Sequence, residues 1–122
     1  DDEGRYKVQF PYDLSGEGGG AASSWVRMAQ PYSGAGMGMH FPLHKNTEVL
    51  VGFVNGDPDR PLIVGSVPNP ETGSPVKGGN SSQCVIATGG GNKIVIEDTA
   101  GGERMILSSP HSKATLRIGA KP

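Results

Sequence analysis

The chain has 122 residues, among them 20 glycines and 10 prolines, and a formal net charge of -1. That length fits one ordinary domain, or a small one with an appendage, and the near-neutral balance gives no field to attract nucleic acid or an anionic membrane surface. No apolar run approaches the ~18 residues of a membrane span, no signal-peptide core is present, and Cys84, alone in the sequence, excludes an internal disulfide while leaving the redox compartment open.

The start, Asp1-Asp-Glu-Gly, has no initiator Met and runs almost directly into a strand pattern, so a segment of a longer chain is expected. Glycine and proline make up about a quarter of the residues, but they punctuate apolar runs instead of forming tracts. No window of ten or more residues keeps a 3.6-residue apolar period. The expected class is all-β.

Residues 5–12 alternate, with Tyr6, Val8 and Phe10 on one side and Arg5, Lys7 and Gln9 on the other, as in a half-buried strand. A Gly/Ser/Ala loop over 13–22 follows. A second strand is expected over 24–30, stopped by Pro31, and a glycine-rich connection over 33–38 leads to a short third strand at 39–43 with Pro42 at a bend. Residues 47–66 then read as strand, corner, strand. In that corner, Gly56, Asp57, Pro58, Asp59, Arg60 and Pro61 form the turn. Pro58 has its φ set for a turn, Asp57 can accept from the backbone two residues on, and Asn55 and Gly56 tolerate positive φ. Five strands with loops of this size suggest a small Greek-key barrel of the OB type over residues 1–67.

Residues 68–82 hold three prolines and little apolar material, and read as a linker. Residues 83–122 then bring short alternating strands at 83–88, 92–98, 103–108 and 114–118, separated by glycine turns. Ile94 and Ile96, Met105 and Leu107, and Leu116 and Ile118 are three pairs at the same two-residue spacing, with charged residues such as Lys93, Glu97, Arg104 and Arg117 between them. Six aliphatic side chains on one side of a narrow ribbon do not offset the entropy of ordering it. The ribbon therefore needs a covering layer, and copies of itself around an axis are the preferred one.

No pattern for a reaction centre emerges. Gly34-Ala-Gly-Met-Gly38 is no dinucleotide fingerprint, because its spacing is wrong and no helix follows, so a bend or bulge is expected. Gly89-Gly-Gly-Asn-Lys93 lacks the spacing and the Ser/Thr of a phosphate loop and reads as a hairpin turn. His40 and His44 would stand some 13 Å apart on a strand, too far for one ion (roughly 3.3 Å per residue). Three copies of one His around an axis remain a conceivable metal site. Cys84 reads as a small buried hydrophobe, and Asp57 and Asp59 as turn former and ion-pair partner of Arg60. An OB barrel raises nucleic acid or glycan binding as an alternative, but the loops that would line such a groove are poor in Lys, Arg and aromatics. No cofactor is expected.

Trp25-Val-Arg-Met-Ala-Gln-Pro-Tyr32, Gly38-Met-His-Phe-Pro-Leu-His-Lys45, Thr47-Glu-Val-Leu-Val51 and Gly56-Asp-Pro-Asp-Arg-Pro-Leu-Ile-Val-Gly65 resemble the VgrG family, the spike proteins of bacterial type VI secretion. Asn69-Pro, Ile94-Val-Ile-Glu-Asp98 and Gly102-Glu-Arg-Met-Ile-Leu107 extend the resemblance into the passage from OB domain to β-helical needle. It implies a homotrimer related to phage tail and baseplate spikes, with OB domains around the base of an intertwined three-chain β-helix. The six residues Ile94, Ile96, Met105, Leu107, Leu116 and Ile118 would then fill the trimer axis. The partners implied are the tube protein below, a tip-sharpening protein and effectors at the needle end. The implied route is assembly in the bacterial cytoplasm and delivery through a target membrane. The resemblance implies no catalytic residue in this stretch. A phage or tailocin baseplate spike is the alternative within the same architecture. The family's tube-contacting module is absent from these residues, any effector domain lies outside them, and Asn46 stands where the family has glycine, a change that its tolerance of positive φ accommodates.

Overall fold

A computed structural model describes residues 1–10 and 23–121. The chain divides into two units, Asp1–Thr72 and Gly73–Pro122. The loop expected over 13–22 lies outside the described residues, as do the last two residues of the first expected strand.

The all-β class is as expected. In the first unit, β1 (Arg27–Met28), β2 (Ser33–Gly34), β3 (Met37–Gly38), β4 (Val49–Phe53) and β5 (Pro61–Ser66) form a three-stranded sheet of order β1-β5-β4 and a separate β2-β3 hairpin. β4 and β5 run antiparallel with a register shift between Leu50 and Val51, and β1 runs parallel to β5. Val8, Val26 and Ile63 form the buried centre, with Tyr6, Phe10, Met28, Leu43, Val49 and Val51 packed around them.

Two expected strands are not ladders among the described residues, and the reason is the same for both. Within residues 5–10, Tyr6 bridges Val26 through two backbone hydrogen bonds of 2.9 and 2.7 Å. The next inward N–H, that of Val8, donates to the Ser23 hydroxyl at 2.8 Å. At 39–43, Pro42 has no N–H, and the Leu43 N–H donates to the Tyr6 hydroxyl at 3.0 Å. Side-chain oxygens take the donors a ladder needs. The alternation of faces nevertheless holds, since Val8 is buried and Lys7 and Gln9 are exposed. The glycine-rich connection is tighter than a bend: Gly34 and Met37 pair directly, and a side chain on Gly38 would meet the Tyr32 carbonyl at 2.9 Å.

The corner between β4 and β5 is held by its own backbone. Asn55 and Gly56 sit at φ 52 and 69. The Asp57 N–H donates to the Val54 carbonyl, Arg60 N–H to Asp57, and Val54 N–H to Arg60, while the Asp57 carboxylate accepts the Asp59 N–H at 2.9 Å. No ion pair joins Arg60 to Asp57 or Asp59. The salt bridges among the described residues belong to Arg5, with Asp1 and Glu3. Asn46 adopts φ 66, a left-handed conformation that asparagine tolerates.

Residues 68–82 divide between the units, each part tied by an asparagine. The Asn69 side chain accepts the backbone N–H groups of Glu71 and Thr72 and donates to Glu48. The Asn80 side chain accepts from Lys77 and donates to the Pro75 carbonyl.

The second unit is a four-stranded antiparallel meander of β6 (Gln83–Ala87), β7 (Lys93–Glu97), β8 (Arg104–Ser108) and β9 (Thr115–Gly119), every ladder in unbroken register. Glycines at positive φ close the first two turns, Gly91 at 85 and Gly101 at 80, where an L side chain is strained. The third turn does without glycine and holds Ser112 and Lys113 at φ 59 and 50.

Candidate assembly face

The two-residue period of a strand puts alternate side chains on one face, and unbroken register aligns them across the sheet. Ile94, Leu107 and Leu116 therefore form one row, which Ile86 extends onto β6. Ile96, Met105 and Ile118 form the next, extended by Cys84. All six residues singled out in the sequence share this face. Ile86 and Cys84 complete it. Ile86 was not singled out, although the same alternation marks it.

Nothing in the unit covers this face. Leu116 is 57% exposed, Ile118 56% and Leu107 53%. Cys84, expected to be buried, is an exposed free thiol, because its neighbours in the row have no layer above them. On the opposite face Val85, Val95 and Ile106 are half-buried. The more apolar side of the sheet is thus the one presented to water, where a contiguous patch of this kind marks an interaction surface.

The end of the sheet carries a feature that alternation did not reveal. Glu97, read as one of the charged residues between apolar pairs, is 7% exposed and the buried polar residue of the described chain. Its carboxylate accepts from the Thr99 hydroxyl at 2.7 Å, the Ser82 hydroxyl at 2.7 Å, the Thr99 N–H at 2.9 Å and the Gln83 amide at 3.1 Å. These donors, the Thr99 hydroxyl first, pull its pKa from 4.5 down to about 2 against the opposing effect of burial. Glu97 so binds the entry to β6 to the turn after β7. Arg104 stands opposite it in the ladder, yet its guanidinium donates to the Gly102 carbonyl at 3.3 Å, and its Nε is buried without a partner. The one local signal was the hydroxyl two residues beyond Glu97; Ser82 and Gln83 are distant in sequence.

In the first unit, a groove of about 740 Å³ opens over the core, lined by Tyr6, Val8, Phe10, Leu43, Val49 and Ile63 with polar residues at its rim. The turn residues 56–61 lie outside it. Among the described residues, no group of three His, Cys, Asp or Glu converges as a metal site.

Comparison with known proteins matches residues 1–67 to the type VI secretion system/phage-baseplate injector OB domain. Among curated relatives, the chain is similar to the type VI secretion system spike protein VgrG3 of Vibrio cholerae serotype O1, with 34% identity covering 88% of the chain and 11% of the relative. It is likewise similar to the spike protein VgrG5 of Pseudomonas aeruginosa, at 36% identity over 88% of the chain and 14% of the relative. A third relative is the actin cross-linking toxin VgrG1 of Vibrio cholerae, at 34% identity over 88% of the chain and 10% of the relative. The chain thus spans between a tenth and a seventh of the length of these relatives.

Proposed function

The chain belongs to the family of the type VI secretion system/phage-baseplate injector OB domain, and from that premise we propose that it is a segment of a homotrimeric spike in a contractile injection machine. The single observation that carries this reading is the uncovered apolar face built by Ile94, Ile96, Met105, Leu107, Leu116 and Ile118 with Ile86 and Cys84. The seven aliphatic side chains among them are about half exposed, so each gains roughly half of the ~1.5–3 kcal/mol of full burial on leaving water, and a threefold arrangement of identical sheets lets every copy cover the other two.

The role is mechanical. Residues 1–67 form the OB-type base at the root of the needle, on the side of the tube protein below, and residues 83–122 open the needle, with 68–82 between them. Force along the needle is borne by hydrogen-bonded ladders around a dry axis, which cannot yield without exposing apolar side chains. The spike travels out through the machine, crosses a target membrane transiently, and carries a tip protein and effectors beyond this segment. The relative named as an actin cross-linking toxin supports the carriage of effectors on spikes of this kind. This segment is not the enzyme.

Light scattering coupled to size exclusion tests the reading. A mass of three chains is expected, with the Cys84 thiol slow toward a thiol reagent. A single-chain mass at all concentrations with a reactive Cys84 overturns it. Retention on single-stranded DNA at low salt, or on glycan, counts for the alternative in which the OB barrel is a binding module.

A further inference from the structure

The second unit's sheet has two chemically opposite ends. Its meander places the β6–β7 turn and the β8–β9 turn side by side, so close that a side chain on Gly91 would meet Pro110 at 3.2 Å. Lys93, His111 and Lys113 stand at that end, and Arg117 lies two positions further along β9 on the same face as Lys93; all four are exposed. Residues 84–96 and 105–118 contain no Asp or Glu. The acidic residues of the unit, Glu97, Asp98 and Glu103, all border the opposite turn. Glu97 is occupied by its hydroxyl donors, while Asp98 and Glu103 are exposed. The cations toward that end are Arg104, half-buried and turned to Gly102, exposed Lys77 in the turn before β6, and Lys121 beyond β9. Among the described residues, none of Lys93, Lys113, Arg117, Asp98 or Glu103 has an ion-pair partner.

Resting on the trimer reading, we propose that the ends of this sheet are its intersubunit contact: the Lys93/Lys113 end of one copy docks on the Asp98/Glu103 end of the next. The dimensions favour ends over edges. A five-residue strand spans about 17 Å, and three sheets of that width closed into a triangular prism stand about 5 Å from the axis. That is half the ~10 Å separation of packed sheets, so the apolar faces meet without a void. Joining edges instead would make a barrel of twelve strands, wider than the roughly eight whose interior side chains fill.

A threefold ring is heterologous, so each copy must offer two different, complementary patches. Exposed ion pairs are individually weak, but here three contacts close together. Like charges meet if a copy is reversed. The charges thereby set the direction in which copies follow one another around the axis, a specificity that the apolar face, with its two similar rows, does not supply.

Charge reversal of the chain as it stands tests this. Lys93→Glu with Lys113→Glu is expected to raise the concentration for half-assembly about tenfold or more, and Asp98→Lys with Glu103→Lys to do the same. All four together should return it to within about threefold of the wild type, since each contact is then inverted and complementary. Far-UV circular dichroism and melting of each variant control for folding, because every position is exposed. An unchanged Lys93→Glu/Lys113→Glu variant, or a fourfold variant no better than either double, overturns the end-to-end contact while the trimer stands. A wild-type chain that stays monomeric overturns the trimer and this contact with it.

Discussion

Ile96 on β7 and Met105 on β8 stand directly opposite each other in unbroken register, and both face water. A cross-strand apolar pair of this kind usually lies beneath a second layer, because the sheet gains little from pairing alone. The covering layer is therefore the central question about this molecule, and Ile96 is the position from which to probe it.

Ile96→Asp should abolish assembly at micromolar concentration, since three carboxylates would have to be desolvated around one axis. The first unit should stay folded. Trp25, the sole tryptophan and part of that unit, provides the readout. Its fluorescence should melt as in the wild type while the scattered mass falls to one chain. Loss of the Trp25 signal at ambient temperature would show that the two units are not independent.

Glu97 gives the second unit a defined acid response. Its folded pKa lies below its ordinary value, so it contributes stability that is fully present above about 4.5 and lost as pH falls through about 2. The melting temperature should therefore not vary with pH through Glu97 near neutrality, and should fall across that acid window. Glu97→Gln keeps the shape, but its amide offers only one acceptor oxygen to donors that now share two. The variant should melt a few degrees lower at neutral pH and lose that component of the acid dependence, while a profile unchanged from the wild type would remove Glu97 from the account.

Gly119 ends β9 at φ 107, and a Cβ there would lie 2.5 Å from the Glu103 carbonyl and 2.9 Å from the Arg104 Cα. Gly119→Ala must shift backbone on both strands, at a cost of about 1–3 kcal/mol. Hydrogen exchange should show the loss first at Ala120, whose N–H donates to the Glu103 carbonyl at 2.9 Å, with β6 and β7 affected least.

Tyr6→Phe removes the hydroxyl that accepts the Leu43 N–H. An unsatisfied, partly buried donor costs about 1–3 kcal/mol. Urea unfolding followed by Trp25 should report a midpoint lowered accordingly, and the meander of the second unit should be unaffected.

Strand alternation needs no knowledge of the partner, because successive side chains point to opposite sides whatever lies above them. That is why the four strands of residues 83–119, their common apolar face and the glycine turns between them were legible in sequence. The same holds for the corner at 56–61, where Asn55, Gly56, Asp57 and Pro58 act on their own backbone within a few residues. The strands at 5–12 and 39–43 have equally good patterns and do not form ladders among the described residues. What overrode them were the hydroxyls of Ser23 and Tyr6, 15 and 37 residues distant from the donors they accept. Alternation marks Glu97 only as a charged residue between apolar pairs, for a similar reason: two of its three partner residues come from the far side of a hairpin.

By itself, then, the sequence determined everything governed by local geometry: the all-β class, the places of the turns, and which side chains share a face. Only the tertiary structure decided which backbone donors go to side chains, that Glu97 is buried and ionised, and that basic and acidic residues gather at opposite ends of one sheet. Those outcomes depend on long-range partners, whose approach is set by the packing of the whole unit and leaves no period in the chain.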